Sequence, residues 1–554
     1  MRHALIALIA LAAASPAAAD TLIDNVKGMQ VGANGKLERF TGILVGDDGR
    51  VRRVLHGEKF KLPAGTIVVD GAGRTMLPGL IDAHGHVMAL GFGALQLDLT
   101  GTTSLADLQA RLKAHAAANP GGGWILGRGW NQENWSDKRF PTAADLDAVV
   151  ADRPVWLGRV DGHASVANSA AMKAAGVTAA TKAPAGGEII NGLFVDNAEA
   201  LVSKFIPAPT PAQYDAALVK AEELMLSVGL TAAADMGTSA SDWAAMIRAG
   251  TSGRLNVRIM NYAGGIPAMK AINGGRPSGW LYADRLHLGG VKLYTDGALG
   301  SRGAWLKAPY HDKPDTRGLR FLTDTEILDQ ASQATRGGYQ LAIHAIGDAA
   351  VAQVISTAEQ LNVTFGDCPV KSTGKTTIDN DCRLRIEHLQ IADVADLKRL
   401  KPAGIIASMQ PTHQTSDRTM AEARLDPARL NGAYAWRTIE KMGVRLAFGS
   451  DFPVEHPNPF PGLSAAVSRQ DPNGQPPGGW RPEEKVSFAT ALNGFTRGAA
   501  YAGFADTKIG SLEPGKWADF IFVDRDVASV DQKALAATRV LETWVAGKKV
   551  YSAD

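Results

Sequence analysis

Two histidines stand one residue apart in "GLIDAHGHVMAL", Gly79 to Leu90, straight after an apolar run that ends at Ile81. Along an extended strand alternate side chains share a face, so His84 and His86 point one way and Gly85 the other. Two imidazoles on one face can hold one metal ion. They can also be loop histidines bonded to backbone, and a short motif alone does not choose. Four more residues with ligand or proton-transfer chemistry lie far downstream. Lys292 stands in "GGVKLYTDG", His344 in "QLAIHAIGD", His388 in "LRIEHLQ" and Asp451 in "VRLAFGSDFP".

Each of these stretches reads as a short strand. Others are "LTAAADMG" (230–237), "VRIMNYAGG" (257–265) and "GIIASMQP" (404–411), with helical segments between most of them. In "TDTEILDQASQATRGG", Thr323 with Glu326 three residues on is a capping-box pattern, and Gly337 marks the stop. "DVADLKRLKPAG" starts a helix at Asp393 and stops it at Pro402. With the strand before His84, this makes eight strand–helix units in order. The expected fold is α/β, a (β/α)8 TIM barrel whose site lies at the C-terminal strand ends. Of only twelve histidines, four fall at such ends, with Asp451 ending the last strand. One buried histidine is more often a satisfied core residue than a ligand; four at the predicted ligand positions reverse that.

Residues 101–210 interrupt the pattern after the first strand and predict an inserted subdomain over the barrel mouth. Its tryptophans, Trp124, Trp130, Trp135 and Trp156, read first as core and second as a pocket lining. Both ends of the chain are β-rich. "TGILVGDDGRVRRVL" is a hairpin around Asp-Asp-Gly, and "IGSLEPGKWADFIFVDRD" and "RVLETWVAGKKVYSAD" are short strands with Gly turns. Residues 20–76 and 506–554 are expected to form one small domain beside a barrel of residues 77–505.

With 58 basic and 56 acidic residues, nothing points to nucleic acid or an anionic membrane surface. "MRHALIALIALAAASPAAAD" has Arg2, a short apolar stretch and the small-residue site Ala17–Ala19. Residues 1–19 therefore read as a secretory signal peptide, too short to span a bilayer stably, against the alternative of a lipid-inserted N-terminal anchor, and the mature protein as exported to a bacterial periplasm. In that oxidising compartment Cys368 and Cys382, flanking one polar loop, would pair, worth on the order of 3 kcal/mol. A metal or catalytic thiol is the rival, without a Cys-x-x-Cys pattern to support it. Monomer or homo-oligomer is left open.

The stretches "LPGLIDAHGHV", "GRGWNQENW", "RVDGHASVANSAAM", "KLYTDGALGSRGAWL", "LAIHAIGDAA", "RIEHLQ", "ASMQPTH" and "LAFGSDFPVEHPNP" together resemble the amidohydrolase superfamily. Within it they are most similar to the amidohydrolase-3 branch, relatives of N-substituted formamide deformylase. The resemblance runs from about residue 22 to the C-terminus. It implies a metal-dependent barrel plus a β-sandwich from both termini. It implies that His84, His86 and Asp451 hold one divalent ion and His344 and His388 a second, with zinc the first choice. Lys292 would be a carbamylated bridge, against the simpler readings of a salt bridge to Asp296 or a lysine pointing into the barrel. Asp451 would shuttle the proton from water to the leaving amine; its simpler reading is a helix N-cap. His163, Arg302 and His413 are candidate substrate contacts, each equally a structural residue. The expected reaction is hydrolysis of a non-peptide carbon–nitrogen bond in a small-molecule amide by a metal-activated hydroxide. Lactone or phosphotriester hydrolysis, metal-assisted isomerisation, and a non-catalytic binding protein are the alternatives.

Overall fold

The computed structural model describes residues 19–159, 164–184, 187–365 and 382–553. His163 and Cys368 lie outside the described residues, as do residues 1–18, most of the expected signal peptide. The Cys368–Cys382 pairing therefore lies outside them too, although Cys382 is not a free thiol.

Eight strands form one parallel sheet in sequence order: β1 (Leu80–Gly85), β2 (Leu230–Thr238), β3 (Arg258–Gly264), β4 (Leu286–Tyr294), β5 (Gln340–Ala345), β6 (Arg385–His388), β7 (Ile406–Met409) and β8 (Leu446–Phe448). Nearly every residue of β1 and of β5 to β8 is buried, the pattern of strands covered on both faces. The helix predicted from Thr323 runs Asp324–Arg336, with the Thr323–Glu326 capping box formed and Gly337 as C-cap. Asp393 caps the helix Val394–Leu400.

The ring closes between β8 and β1 at a polar seam. Ser450 donates from its amide and its Oγ to the Asp82 carboxylate, at 3.0 and 2.7 Å to Oδ2. The Asp451 amide donates to the His84 carbonyl at 2.7 Å. Gly449 lets the strands approach: a Cβ there would lie 2.6 Å from the His84 amide nitrogen and closer still to Asp82 Oδ1.

The two chain ends interleave. Thr75–Pro78 pairs with Phe520–Val523 in a six-stranded sheet, and Thr21–Asp24 lies in a four-stranded one. Ile23, Ile43 and Val45 of the second sheet share one core with Met76, Phe520 and Phe522 of the first, which makes a β-sandwich. Arg258 at the start of β3 reaches Asp519 with two buried bonds of 2.7 and 2.9 Å.

A second compact unit comprises residues 86–224 and 238–255, wider than the 101–210 expected from sequence. Helices Val87–Leu95 and Ala240–Thr251 belong to it because both pack on Pro211–Ser227. Gly91 meets Ala217 with no room for a Cβ, and Arg248 pairs with Asp215 at 2.6 Å. Its sheet runs from Leu97–Asp98 to Gly187–Ile190 in the order Leu97–Asp98, Ile125–Trp130, Val155–Arg159, Ala164–Ala167, Leu193–Asp196, Gly187–Ile190. Trp130, Trp135 and Trp156 are buried in its two cores, with Trp124 packed against one of them.

Candidate metal centre

His84, His388 and Asp451, all buried, are placed so that one ligand atom from each lies within 4.8 Å of the others. They come from the ends of β1 and β6 and from just past β8. The His84 Nε2 is 3.5 Å from Asp451 Oδ1, and the two imidazole rings are 4.7 Å apart. His344, at the end of β5, brings its ring within 4.6 Å of His388. Its Nε2 faces Asp296 Oδ1 at 3.4 Å, beyond good hydrogen-bond geometry. Two of the residues, His388 and Asp451, hold positive φ of 75° and 62°, and Leu389 follows at 44°. Such non-glycine conformations cost of order 1–3 kcal/mol each and persist where the surroundings enforce them, often at functional sites.

The rear nitrogens of His84 and His388 are fixed. Glu387 Oε2 lies 2.5 Å from His84 Nδ1. Burial pushes the Glu387 carboxyl up, but Arg385 and His84 outweigh it and hold it at about 2. An ionised carboxylate only accepts, so His84 Nδ1 carries the proton and Nε2 offers its lone pair. Arg385 in turn binds Glu387 at 2.7 Å, Ser408 Oγ at 2.9 Å and the Tyr262 hydroxyl at 3.0 Å. His388 Nδ1 meets Gln410 Oε1 at 2.9 Å, which sets the same tautomer. Burial, reinforced by Lys292, lowers His84 to about 4, and burial with the neighbouring histidines lowers His388 well below its usual value. Both are neutral at pH 7, the form that binds metal. A histidine that faces inward while its other nitrogen is held by an acceptor is the arrangement found around bound metals. The donor set of two imidazoles and a carboxylate thus fits a divalent ion such as zinc, iron, manganese or cobalt.

Lys292 is buried on β4, with Nζ 3.2 Å from His84 Nε2. Burial lowers its ammonium to about 8, although Glu387 and Asp451 favour the charge. The Asp296 salt bridge is not formed. The Asp296 oxygens accept instead from the amides of Trp305, Ile346 and Gly347 at 2.8 to 3.0 Å.

Other expectations fall differently. β1 ends at Gly85, and the half-buried His86 is the N-cap of Val87–Leu95. His388, expected with His344, stands in the tightest group with His84 and Asp451. Arg302 is paired with Asp312 at 2.7 and 3.2 Å on a partly exposed loop. His413 is buried, with Nε2 3.8 Å from Asp451 Oδ2. Asp82, Arg385, Glu387 and Gln410 were not singled out from sequence. Asp82 and Arg385 sit two residues before His84 and Glu387, and that period of two was the available signal.

The Amidohydrolase family model matches residues 67–551. The chain belongs to the amidohydrolase family. Among amidohydrolase relatives it is 32% identical to Protein LONG AFTER FAR-RED 3 of Arabidopsis thaliana, over 88% of this chain and 84% of that one. It is 28% identical to the N-substituted formamide deformylase of Arthrobacter pascens, over 87% of this chain and 90% of that one. A crystal structure of an uncharacterized metal-dependent hydrolase from Pyrococcus horikoshii OT3 superposes with a TM-score of 0.77 at 26% identity. It covers 93% of this chain and 99% of that one.

Proposed function

We propose that this amidohydrolase-family chain is an exported hydrolase that uses a divalent ion, zinc in our reading, to cleave a non-peptide carbon–nitrogen bond in a small amide. The observation that carries it is the grouping of His84, His388 and Asp451, with Glu387 and Gln410 holding the rear nitrogens of both imidazoles. The likeness to a formamide deformylase supports an amide over other substrates. Export rests on the composition of residues 1–19. No described helix is long and apolar enough to cross a membrane.

A bound divalent ion would supply a Lewis acid for the carbonyl oxygen and lower the pKa of water toward about 7. The chain supplies the rest. Asp451 accepts the proton of the attacking water on a carboxylate oxygen and returns it to the leaving nitrogen, which departs poorly unprotonated. Glu387 keeps His84 facing inward throughout. Lys292 has the low, burial-driven basicity that lets a neutral amine bond the carbon of CO2, lose a proton and become a carboxylate. That carboxylate would be a further oxygen ligand, with His344 beside it, in a two-ion site.

The test is metal content per chain for the wild type and Lys292→Ala, beside turnover of an amide, a lactone and a phosphotriester. Two ions falling in the variant, with amide turnover, is the expected result. One ion in both leaves a mononuclear site with Lys292 structural. No ion after supply of metal sinks the proposal, and turnover of only the lactone or phosphotriester replaces its substrate class.

A further inference from the structure

The turn after β7 carries buried polar atoms that the fold does not use. Gln410 Nε2, Thr412 Oγ1, His413 Nε2 and both amide atoms of Gln414 have no hydrogen-bond partner. Gln410, His413 and Gln414 are 2%, 6% and 0% exposed. Buried polar groups in native proteins are paired with protein, water or ligand, and leaving one unpaired is destabilising. Five such atoms on one five-residue stretch call for an occupant.

Two of them stand at the metal centre. Gln410 already gives its Oε1 to His388, so Nε2 is the end of that amide still to be matched. His413 stacks on His388, with centroids 6.0 Å apart and planes 18° apart, and turns Nε2 toward Asp451. The other side of His413 is clamped. Its Nδ1 is 3.1 Å from Gln390 Nε2. Gln390 is held by the Tyr434 amide, which donates to its carbonyl at 2.7 Å, and by the Tyr434 hydroxyl at 3.3 Å. The single proton of that hydroxyl is shared with Asp417, which accepts it at the shorter distance of 2.7 Å. Asp417 lies one turn beyond His413 in the helix Pro411–Arg424, so four side chains close a ring that starts and ends on one helix. A histidine held this firmly, with one nitrogen left toward Asp451, is built to present that nitrogen to something.

The chemistry of the turn selects a class. "QPTHQ" contains no Asp, Glu, Lys or Arg. The two amide nitrogens donate, as does His413 Nε2, because its Nδ1 accepts from Gln390; Gln414 Oε1 accepts, and Thr412 can do either. This set matches a neutral group with a carbonyl oxygen beside an N–H. We infer that Gln410–Gln414 form the polar half of the substrate pocket and take a neutral carboxamide-type group, presenting it to Asp451. The assignment of a reaction rests on the hydrolase reading above; the binding does not.

The experiment uses the full chain loaded with zinc: wild type, Gln414→Leu and His413→Asn, with acetanilide as probe. Binding is measured by calorimetry, hydrolysis by released aniline, and metal content and unfolding temperature for each protein. The expected result is acetanilide binding weakened at least tenfold in both variants with metal content unchanged. Gln414→Leu should unfold no lower than wild type, since it removes two unmatched polar atoms. Binding unchanged in both variants overturns the inference and leaves water as the occupant. Loss of metal in His413→Asn overturns it by making His413 a ligand, and no acetanilide binding to the wild type overturns the amide class. Binding that weakens as expected without any aniline supports the pocket while removing the hydrolase reading. Aniline from all three with equal KM does the reverse.

Discussion

The two sides of the candidate metal centre are finished to different degrees. On the β1 and β6 side, His84, Glu387 and Arg385 account for one another's polar atoms, and Tyr262 and Ser408 complete the set. On the β7 side, the stretch from Gln410 to Gln414 leaves five buried polar atoms unmatched. Gln410, His413 and Gln414 are buried as His84, Glu387 and Arg385 are, so exposure does not explain the contrast. A closed network fixes ligand geometry before any ion arrives, whereas an open one keeps its hydrogen bonds for a molecule that comes and goes. Asp451 stands between them, facing His84 with one oxygen and His413 with the other.

The largest effect should come from that shared residue. Asp451→Asn keeps the shape and removes the proton acceptor, and kcat should fall by about 10²–10⁴ in a steady-state assay on an amide. Breaking the closed side comes next. Glu387→Gln frees the His84 tautomer, and metal affinity measured by competition with a chelator should drop about 10–100-fold. The same residue sets an acid limit. Its folded pKa, about 2, lies below the unfolded value of 4.5, so its stabilisation is complete above about pH 4.5 and disappears as pH falls toward 2. Urea midpoints followed from pH 6 to pH 2 should fall less steeply over that window in Glu387→Gln than in wild type.

Two smaller changes mark where the contrast ends. Gly449→Ala forces a Cβ against the β1 backbone at the seam and should cost about 1–3 kcal/mol of stability, read from the same midpoints. Thr323→Ala removes a helix cap outside both networks. It should cost about 1 kcal/mol and leave KM and kcat as they were; a change in either would extend the site beyond the barrel mouth.

Much of this was legible in the chain. Alternating apolar runs and helix caps located the eight strands, and the strand-end rule selected Lys292, His344, His388 and Asp451. What sequence could not supply was which strand ends face each other across the ring. His388 was therefore expected beside His344, while the structure also brings it to His84 and Asp451. Strand length was the other limit: a helix beginning at Val87 ends β1 one residue before His86. Glu387 went unnoticed because a buried carboxylate next to a histidine looks ordinary until Arg385 and His84 converge on it. The unmatched atoms of Gln410–Gln414 have no sequence signature, since a missing partner is a property of the folded surroundings alone.

The seam between β8 and β1 has a consequence for how the site comes into being. Asp82 and Ser450 are 368 residues apart, and their contact lies beside His84 and Asp451. Two of the three candidate ligand groups therefore do not exist as a pair until the first and last strands of the barrel have met. Contacts so distant in sequence are the slowest to form, because the intervening chain must already be ordered. An ion gripped by both strands would act as a clasp on the last joint of the ring, so that metal uptake reports completed assembly and partly folded chains stay chemically silent.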